Sequence, residues 1–361
     1  MKARRVLVVA AATLAATVAM IPAANAAPRP FGPPVTVAGC LGVGDGVTGV
    51  DGSYRGFVGC GEFPGPPIRF VSRTAAGVVN PSVNSGLSGV VLDVATDATA
   101  TYVLFYRANL ISVGKRTNDG EFSSRVVDTW SGITRPTGSI IARDGQWFGV
   151  WSKPVGSSVT ADLELYQGGT GASTVRITNK PAVADVQPRL VYFGTVPTMV
   201  WARVSTPGRP TSSDLWVSSY RSGGWNSRLF ASAGTFNSDP DITVGSGTTY
   251  ITWVRDGRIV VAGNSTNVFV SHTFNTGGRA PKVAVSVSGV VDHVFVAWTT
   301  TTSRVFFAET TNPDGVTGYQ GEVVAGEVNS FLLGPWALGG YGGKATISYT
   351  EDYQSRLLTQ S

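Results

Sequence analysis

Histidine is almost missing from this chain: His272 and His293 are the only two in 361 residues. Cysteine is as scarce, with Cys40 and Cys60 alone. That poverty rules out a His/Cys cluster of the kind that holds zinc, and it forces any Ser-His-Asp triad through one of two histidines. Charge is thin too, at 14% for Asp, Glu, Lys and Arg together. No glycine-rich phosphate loop joins a strand to a helix. Beyond the first 26 residues no window carries a 3.6-residue apolar period, which excludes a helical domain. No cofactor or metal is expected.

What is present begins with a leader. Lys2, Arg4 and Arg5 precede an apolar run from Val6 to Ile21, and Ala24-Asn25-Ala26 is a small-residue cleavage site. Residues 1–26 therefore read as a secretory signal peptide, too short and too soon closed by Pro22 to be a membrane span. Export by the general or the twin-arginine route stays open. The whole chain has 28 Lys+Arg and 23 Asp+Glu; cleavage leaves 25 against 23, a mature charge of +2. So small a charge gives no electrostatic footprint for nucleic acid. In an exported protein two cysteines default to a disulfide. A Cys40–Cys60 bond would close a loop of about 20 residues and contribute on the order of 3 kcal/mol.

The rest, 27–361, reads as one repetitive domain. Pro34, Pro81, Pro136, Pro188, Pro240, Pro281 and Pro335 recur at spacings of 41 to 55 residues. Between them lie short runs of Val, Ile, Thr, Tyr and Trp broken by Gly, Asn and Asp. A β-only period near 50 is the mark of a β-propeller with one four-stranded blade per unit. In the unit at Pro188, "RLVYF", "TMVWA", "DLWVSSY" and "SRLFAS" are strands a to d from the axis outward. The b strands end on Tyr106, Trp151, Trp201, Trp253, Trp298 and Tyr349, one large aromatic per unit, placed to pack between neighbouring blades. The count is seven if 34–80 make a blade starting with "PVTVA", and six if they supply only a cap and a closing strand. The last unit stops at its c strand, so an N-terminal segment is expected to complete it and close the ring.

Three turns between strands c and d carry a family resemblance: "RTNDGEF" at 116–122, "YRSGGWN" at 220–226 and "TTNPDGV" at 310–316. They resemble worn Asp-box turns, which in sialidase-like β-propellers occupy this position. None has the full Ser-x-Asp-x-Gly-x-x-Trp pattern. The family's catalytic arginines and Tyr/Glu pair have no placement here, so no catalytic role follows from the resemblance.

Propeller connectivity puts the b–c and d–a loops on one face. After the b aromatics come Arg107, Lys153, Arg203, Arg255 with Asp256, and Glu351; beside the prolines lie Arg135, Asp185, Asp239, Asp241 and Arg279. Arg107, Lys153, Arg203, Arg255, Asp256, Asp239 and Glu351 are the candidate ligand-binding set, a charged ring for a polar or anionic ligand. The competing reading is that charges collect at solvated loop ends. His272, in an outer strand, and His293, in an a–b turn, read as structural. "GSGTTY" and "GGYGGK" read as a–b turns. Trp147, Trp216 and Trp225 are candidates for exposed sugar-stacking rings.

Two functions fit. One is a secreted, non-catalytic, monomeric propeller binding an extracellular glycan, cell-wall polymer or protein at its axial face. The alternative is a secreted glycoside hydrolase or polysaccharide lyase using a pair of axial carboxylates.

Overall fold

A computed structural model describes residues 29–361 apart from 40–41, 50, 62–64, 133–134, 155–162, 172, 181–182, 206–211, 233–234, 265–268, 289–290, 313, 328–336 and 352–353. The leader, Cys40 and Pro335 fall outside the described residues. Cys60 ends a strand, and no free thiol stands among the described residues.

The structure is all-β and forms seven four-stranded antiparallel blades. The first strand, β1 (Val35–Ala38), belongs to the last blade. Blade 1 runs β2 (Gly42–Thr48), β3 (Tyr54–Cys60), β4 (Pro67–Arg73) and β5 (Val79–Ser88). Blade 2 is β6 (Val90–Thr96), β7 (Ala100–Arg107), β8 (Leu110–Thr117) and β9 (Phe122–Thr129). Blade 3 is β10 (Gly138–Arg143), β11 (Gln146–Pro154), β12 (Leu163–Gly169) and β13 (Val175–Arg176). Blade 4 is β14 (Ala184–Phe193), β15 (Val196–Val204), β16 (Ser213–Arg221) and β17 (Gly224–Ala231). Blade 5 has β18 (Asn237–Val244), β19 (Thr249–Arg255), β20 (Arg258–Asn264) and the first half of β21 (Phe269–Ser288). The second half of that strand opens blade 6, followed by β22 (Val291–Thr300), β23 (Arg304–Thr310) and β24 (Gln320–Glu327). Blade 7 comes from both ends of the chain: β25 (Ala337–Tyr341), β26 (Lys344–Glu351), β27 (Gln354–Thr359) and, outermost, β1.

The closure is as expected, but the strand assignment of the first unit is corrected. "PVTVA" is the edge of blade 7, with Val35 opposite Leu357, and "GVGDGVT" supplies the inner strand of blade 1. Pro34 and Pro81 likewise do not open inner strands; they sit before β1 and within β5, both edge strands, where a missing N–H breaks no ladder. Backbone bonds from Gly32 to Thr359 and from Ser361 to Pro30 extend the seam, and Phe31 packs edge-on against Phe307 at 5.0 Å.

The core lies between blades. Trp151 clusters with Tyr102, Leu104 and Ile111 of blade 2, Trp201 with Ile141 and Leu165 of blade 3, and Trp253 with Val200, Leu215 and Val217 of blade 4. Trp298 and Tyr349 do the same against blades 5 and 6. These five b-strand aromatics are thus inter-blade spacers, each burying a large apolar area; in blade 2 that place is taken by Phe105, which clusters with Phe57 and Phe70 of blade 1, and Tyr106 is only half-buried.

Candidate functional site

The inner strands carry one side chain per blade at the same level around the axis: Asp45, Asp93, Ser139, Arg189, Asp241, Lys282 and Ala337, in blade order. They line a 330 Å³ cavity that opens toward the a–b turns. A second cavity of 290 Å³ opens on the proline-bearing face, and Asp45, Arg189 and Lys282 line both. These three therefore form the waist of an axial channel.

Local sequence explains the aim of these side chains. In blades 4, 5 and 6 the register slips between Val186 and Arg189, Ser238 and Asp241, and Arg279 and Lys282. Each slip holds a residue with positive φ, Gln187 at 55°, Asp239 at 49° and Ala280 at 50°, followed by proline. A bulge of this kind re-aims the next side chain, here toward the axis. A non-glycine residue with positive φ costs roughly 1–2 kcal/mol. In blades 4 and 5 hydrogen bonds offset it. Gln187 Nε2 donates to Asp239 Oδ1 at 2.6 Å, Asp239 N donates back to Gln187 Oε1 at 2.9 Å, and Gln187 N donates to Thr137 Oγ1 at 2.8 Å.

Each flanking carboxylate serves two directions. Asp93 Oδ2 accepts from Ser139 Oγ at 2.5 Å and Ile140 N at 2.7 Å, and Asp241 Oδ2 accepts from Val283 N at 2.9 Å, both stitching to the next blade. Their other oxygens face Arg189: Asp93 Oδ1 is 3.9 Å from Nη1, and Asp241 Oδ1 is 3.9 Å from Nε. Burial alone would weaken the hold of Arg189 on its proton, but Asp93, Asp241, Asp45 and Asp239 outweigh it and raise its pKa. Burial pushes the Asp45 carboxyl well above its ordinary range; Lys282 opposes the rise and Asp93 adds to it. Asp239 is raised by burial too, against the hydrogen bond from Ser238 and the charge of Arg189.

The expected ligand set lies elsewhere, apart from Asp239 at the mouth on the proline face. Lys153 Nζ is 2.5 Å from Asp128 Oδ1, while Trp151 Nε1 donates to Asp128 Oδ2 at 2.9 Å. Arg203 holds the fully buried Asp185 through two bonds of 2.7 and 2.9 Å, lies over Trp216, and shares Asp185 with Trp201 Nε1. Arg255 lies over Trp253, 5.1 Å from the ring centroid, and both donate to Asn237 Oδ1, at 3.4 and 3.0 Å. Glu351 sits 4.0 Å from Arg356, and Asp256 accepts from Phe236 N in a turn. Arg107 is exposed at the end of β7. Lys153, Arg203 and Arg255 thus each hold a partner beside the b-strand aromatic of their own blade.

Trp147 is buried, Trp216 stacks on Trp201 at 6.2 Å, and Trp225 donates to Gln167 while packing on Phe148. They are packing residues. His272 and His293 stand in the outer half of β21 and at the start of β22, with pKa values lowered by burial. Among the described residues no group of three or more His, Cys, Asp or Glu is placed to hold a metal ion. No helix among them is long and apolar enough to cross a membrane. The sequence signal that was available is simple: Arg189, Asp241 and Lys282 each directly follow one of the repeat prolines.

No protein-family model matches the chain, and no curated protein matches it. Among solved structures it is similar to a GH93 α-L-arabinofuranosidase of Fusarium graminearum, in complex with arabinobiose. There the identity is 10%, 91% of this chain and 98% of that chain are covered, and the TM-score is 0.52. BBS1N in complex with ARL6 gives 9% identity, 92% and 97% coverage and a TM-score of 0.52. A Trypanosoma rangeli sialidase in complex with sialic acid gives 11%, 85% and 58%, and 0.50. At such identities the likeness is one of fold. The fold is that of several propeller families, so the Asp-box resemblance is corrected to this wider relation.

Proposed function

We propose that the chain is a secreted, glycan-active β-propeller that takes an extracellular sugar into the axial channel and hydrolyses it. The observation that carries the reading is the waist, where a carboxyl with a raised pKa, Asp45, shares a cavity with carboxylates held around Arg189. Glycoside hydrolysis needs a proton donor and a second carboxylate roughly 5–9.5 Å apart. Asp93 and Asp241 each stand 3.9 Å from the one guanidinium of Arg189, in the cavity that Asp45 also lines. In this reading Asp45, beside Asp93, protonates the leaving oxygen, and Asp241 across Arg189 activates water or attacks the sugar. Lys282 and Arg189 orient hydroxyl or acidic substituents. Glycoside hydrolases stand among the neighbours of similar fold, the arabinofuranosidase and the sialidase above. The leader supports secretion.

A second reading, a binding propeller without catalysis, has its own observation: Asp93 and Asp241 each commit one oxygen to backbone N–H groups of the next blade. The test is to incubate the mature protein with arabinans, sialosides and wall glycans and measure both binding and released reducing ends. Hydrolysis lost in Asp45→Asn with binding kept supports the enzyme. Wild-type turnover in Asp45→Asn sinks it. Binding without turnover in the wild type, lost in Arg189→Leu, selects the second reading.

A further inference from the structure

Two clefts on the outer part of the ring repeat one another. The larger, 310 Å³, lies between blades 4 and 5 and opens beside the turns opposite the proline face. Arg221 and Arg228 border it, Phe193 and Phe269 give it an apolar wall, and Thr249 and Asn264 add polar atoms. Arg228 lies over the Phe269 ring, 5.5 Å from its centroid. The Asn264 side-chain oxygen is buried without a hydrogen-bond partner. The smaller, 180 Å³, lies between blades 2 and 3 and is bordered by Lys115 and Arg125, with the buried rings of Tyr102 and Trp147 as its floor. The correspondence is one of register: Arg228 is opposite Val217 across strands c and d, and Arg125 is opposite Val113. Each cleft also takes a glycine from the a–b turn of the following blade, Gly247 in one and Gly145 in the other.

Neither cleft has an Asp or Glu among its lining residues. Arg125, Arg221 and Arg228 are exposed and make no ion pair among the described residues. Charge on an edge strand discourages sheet pairing, which accounts for a lone arginine. It does not account for a second base and a cavity recurring together.

We propose that these clefts bind acidic sugar residues of a polysaccharide, with the basic pair taking the carboxylate or sulfate and, in the larger cleft, the Phe193 and Phe269 wall packing on the sugar ring. Guanidinium groups match planar anions through paired N–H donors. An unpartnered buried amide oxygen suits a sugar hydroxyl donor. Two equivalent clefts, two blades apart, engage a repeating polymer with more avidity than either alone. The inference does not depend on hydrolysis in the axial channel.

The test is titration of the mature protein with polygalacturonate, dextran sulfate and neutral dextran at physiological salt. Binding is expected to at least one acidic polymer, with the carboxylate and sulfate arms deciding which group is preferred, and none to dextran. Arg221→Ala with Arg228→Ala should weaken it about tenfold or more, and adding Lys115→Ala with Arg125→Ala should weaken it further. The charge-matched pair Arg304→Ala with Lys344→Ala, at exposed positions outside both clefts, should leave affinity within about twofold. Asp45→Asn should keep polymer binding whatever becomes of turnover, so the two proposals fail separately. No binding by the wild type, equal binding of dextran, or equal loss in the charge-matched pair overturns the inference; melting curves exclude unfolding as the cause.

Discussion

The channel waist and the b-strand clamps contain the same chemical groups, arginine or lysine against aspartate, in opposite circumstances. In the clamps the contacts are short, 2.5 to 2.9 Å, and Trp201 and Trp151 supply a further donor to the same carboxylate. At the waist Arg189 stands 3.9 Å from two carboxylates beside open space. The clamped charges are spent on holding blades, whereas those at the waist keep hydrogen-bonding capacity for something else. A charge recurring at fixed spacing thus serves two ends in this fold; what its lone pairs and N–H groups already do separates them.

Deleting Gln354 to Ser361 should do most damage. It removes β27 and with it the partner of β1, opening the ring within blade 7, where the two ends of the chain pair. Loss of the cooperative thermal transition by circular dichroism is expected, and an unchanged melt would mean that the seam is dispensable. Next, Trp201→Ala should cost about 3–5 kcal/mol through the cavity it leaves. Arg203→Ala should cost on a similar scale, about 3–5 kcal/mol, because Asp185 stays buried without its ion-pair partner. Denaturant midpoints measure both. The matching change at the waist, Arg189→Leu, should cost less than Arg203→Ala, since its ion pairs are 3.9 Å long and make no hydrogen bond to either carboxylate. Equal losses in Arg203→Ala and Arg189→Leu would erase the distinction between the regions.

Asp45 sharpens it further through pH. Its folded pKa is raised, so the folded state binds a proton more readily than the unfolded chain. Its contribution to stability is present below the unfolded value near 3.8 and is lost as pH rises through the folded value. Asp45→Asn should flatten that fall in melting temperature, and in the enzyme reading it should also abolish turnover, while the wild-type rate falls as pH rises through the Asp45 pKa. The smallest effect belongs to the surface turns. Asp314 Oδ1 accepts from Val316 N and Thr317 N at 2.9 and 3.0 Å, so Asp314→Ala should cost about 1 kcal/mol by calorimetry and leave turnover unchanged.

Much of the architecture could be read from residues. The period near 50 gave blades, the b-strand Trp and Tyr gave the inter-blade core, and a last unit short of one strand gave the closure. The first unit misled because Pro34 resembles the other repeat prolines, although it precedes an edge strand. The site was less legible. Arg189, Asp241 and Lys282 stand in plain view after their prolines, but Asp45 and Asp93 follow none, and only their common level on the inner strands unites them.

Local sequence determined alternation, turns and bulges, because these depend on backbone sterics and neighbours a few residues apart. Tertiary structure alone decided which charges meet. Asp128 reaches Lys153 across 25 residues and Asp93 approaches Arg189 across 96, each through packing between blades. Burial then sets the chemistry: the same carboxyl group holds its proton more tightly than usual at Asp45 and anchors an ion pair at Asp185, because one is buried at a cavity next to another acid and the other is closed around an arginine and an indole.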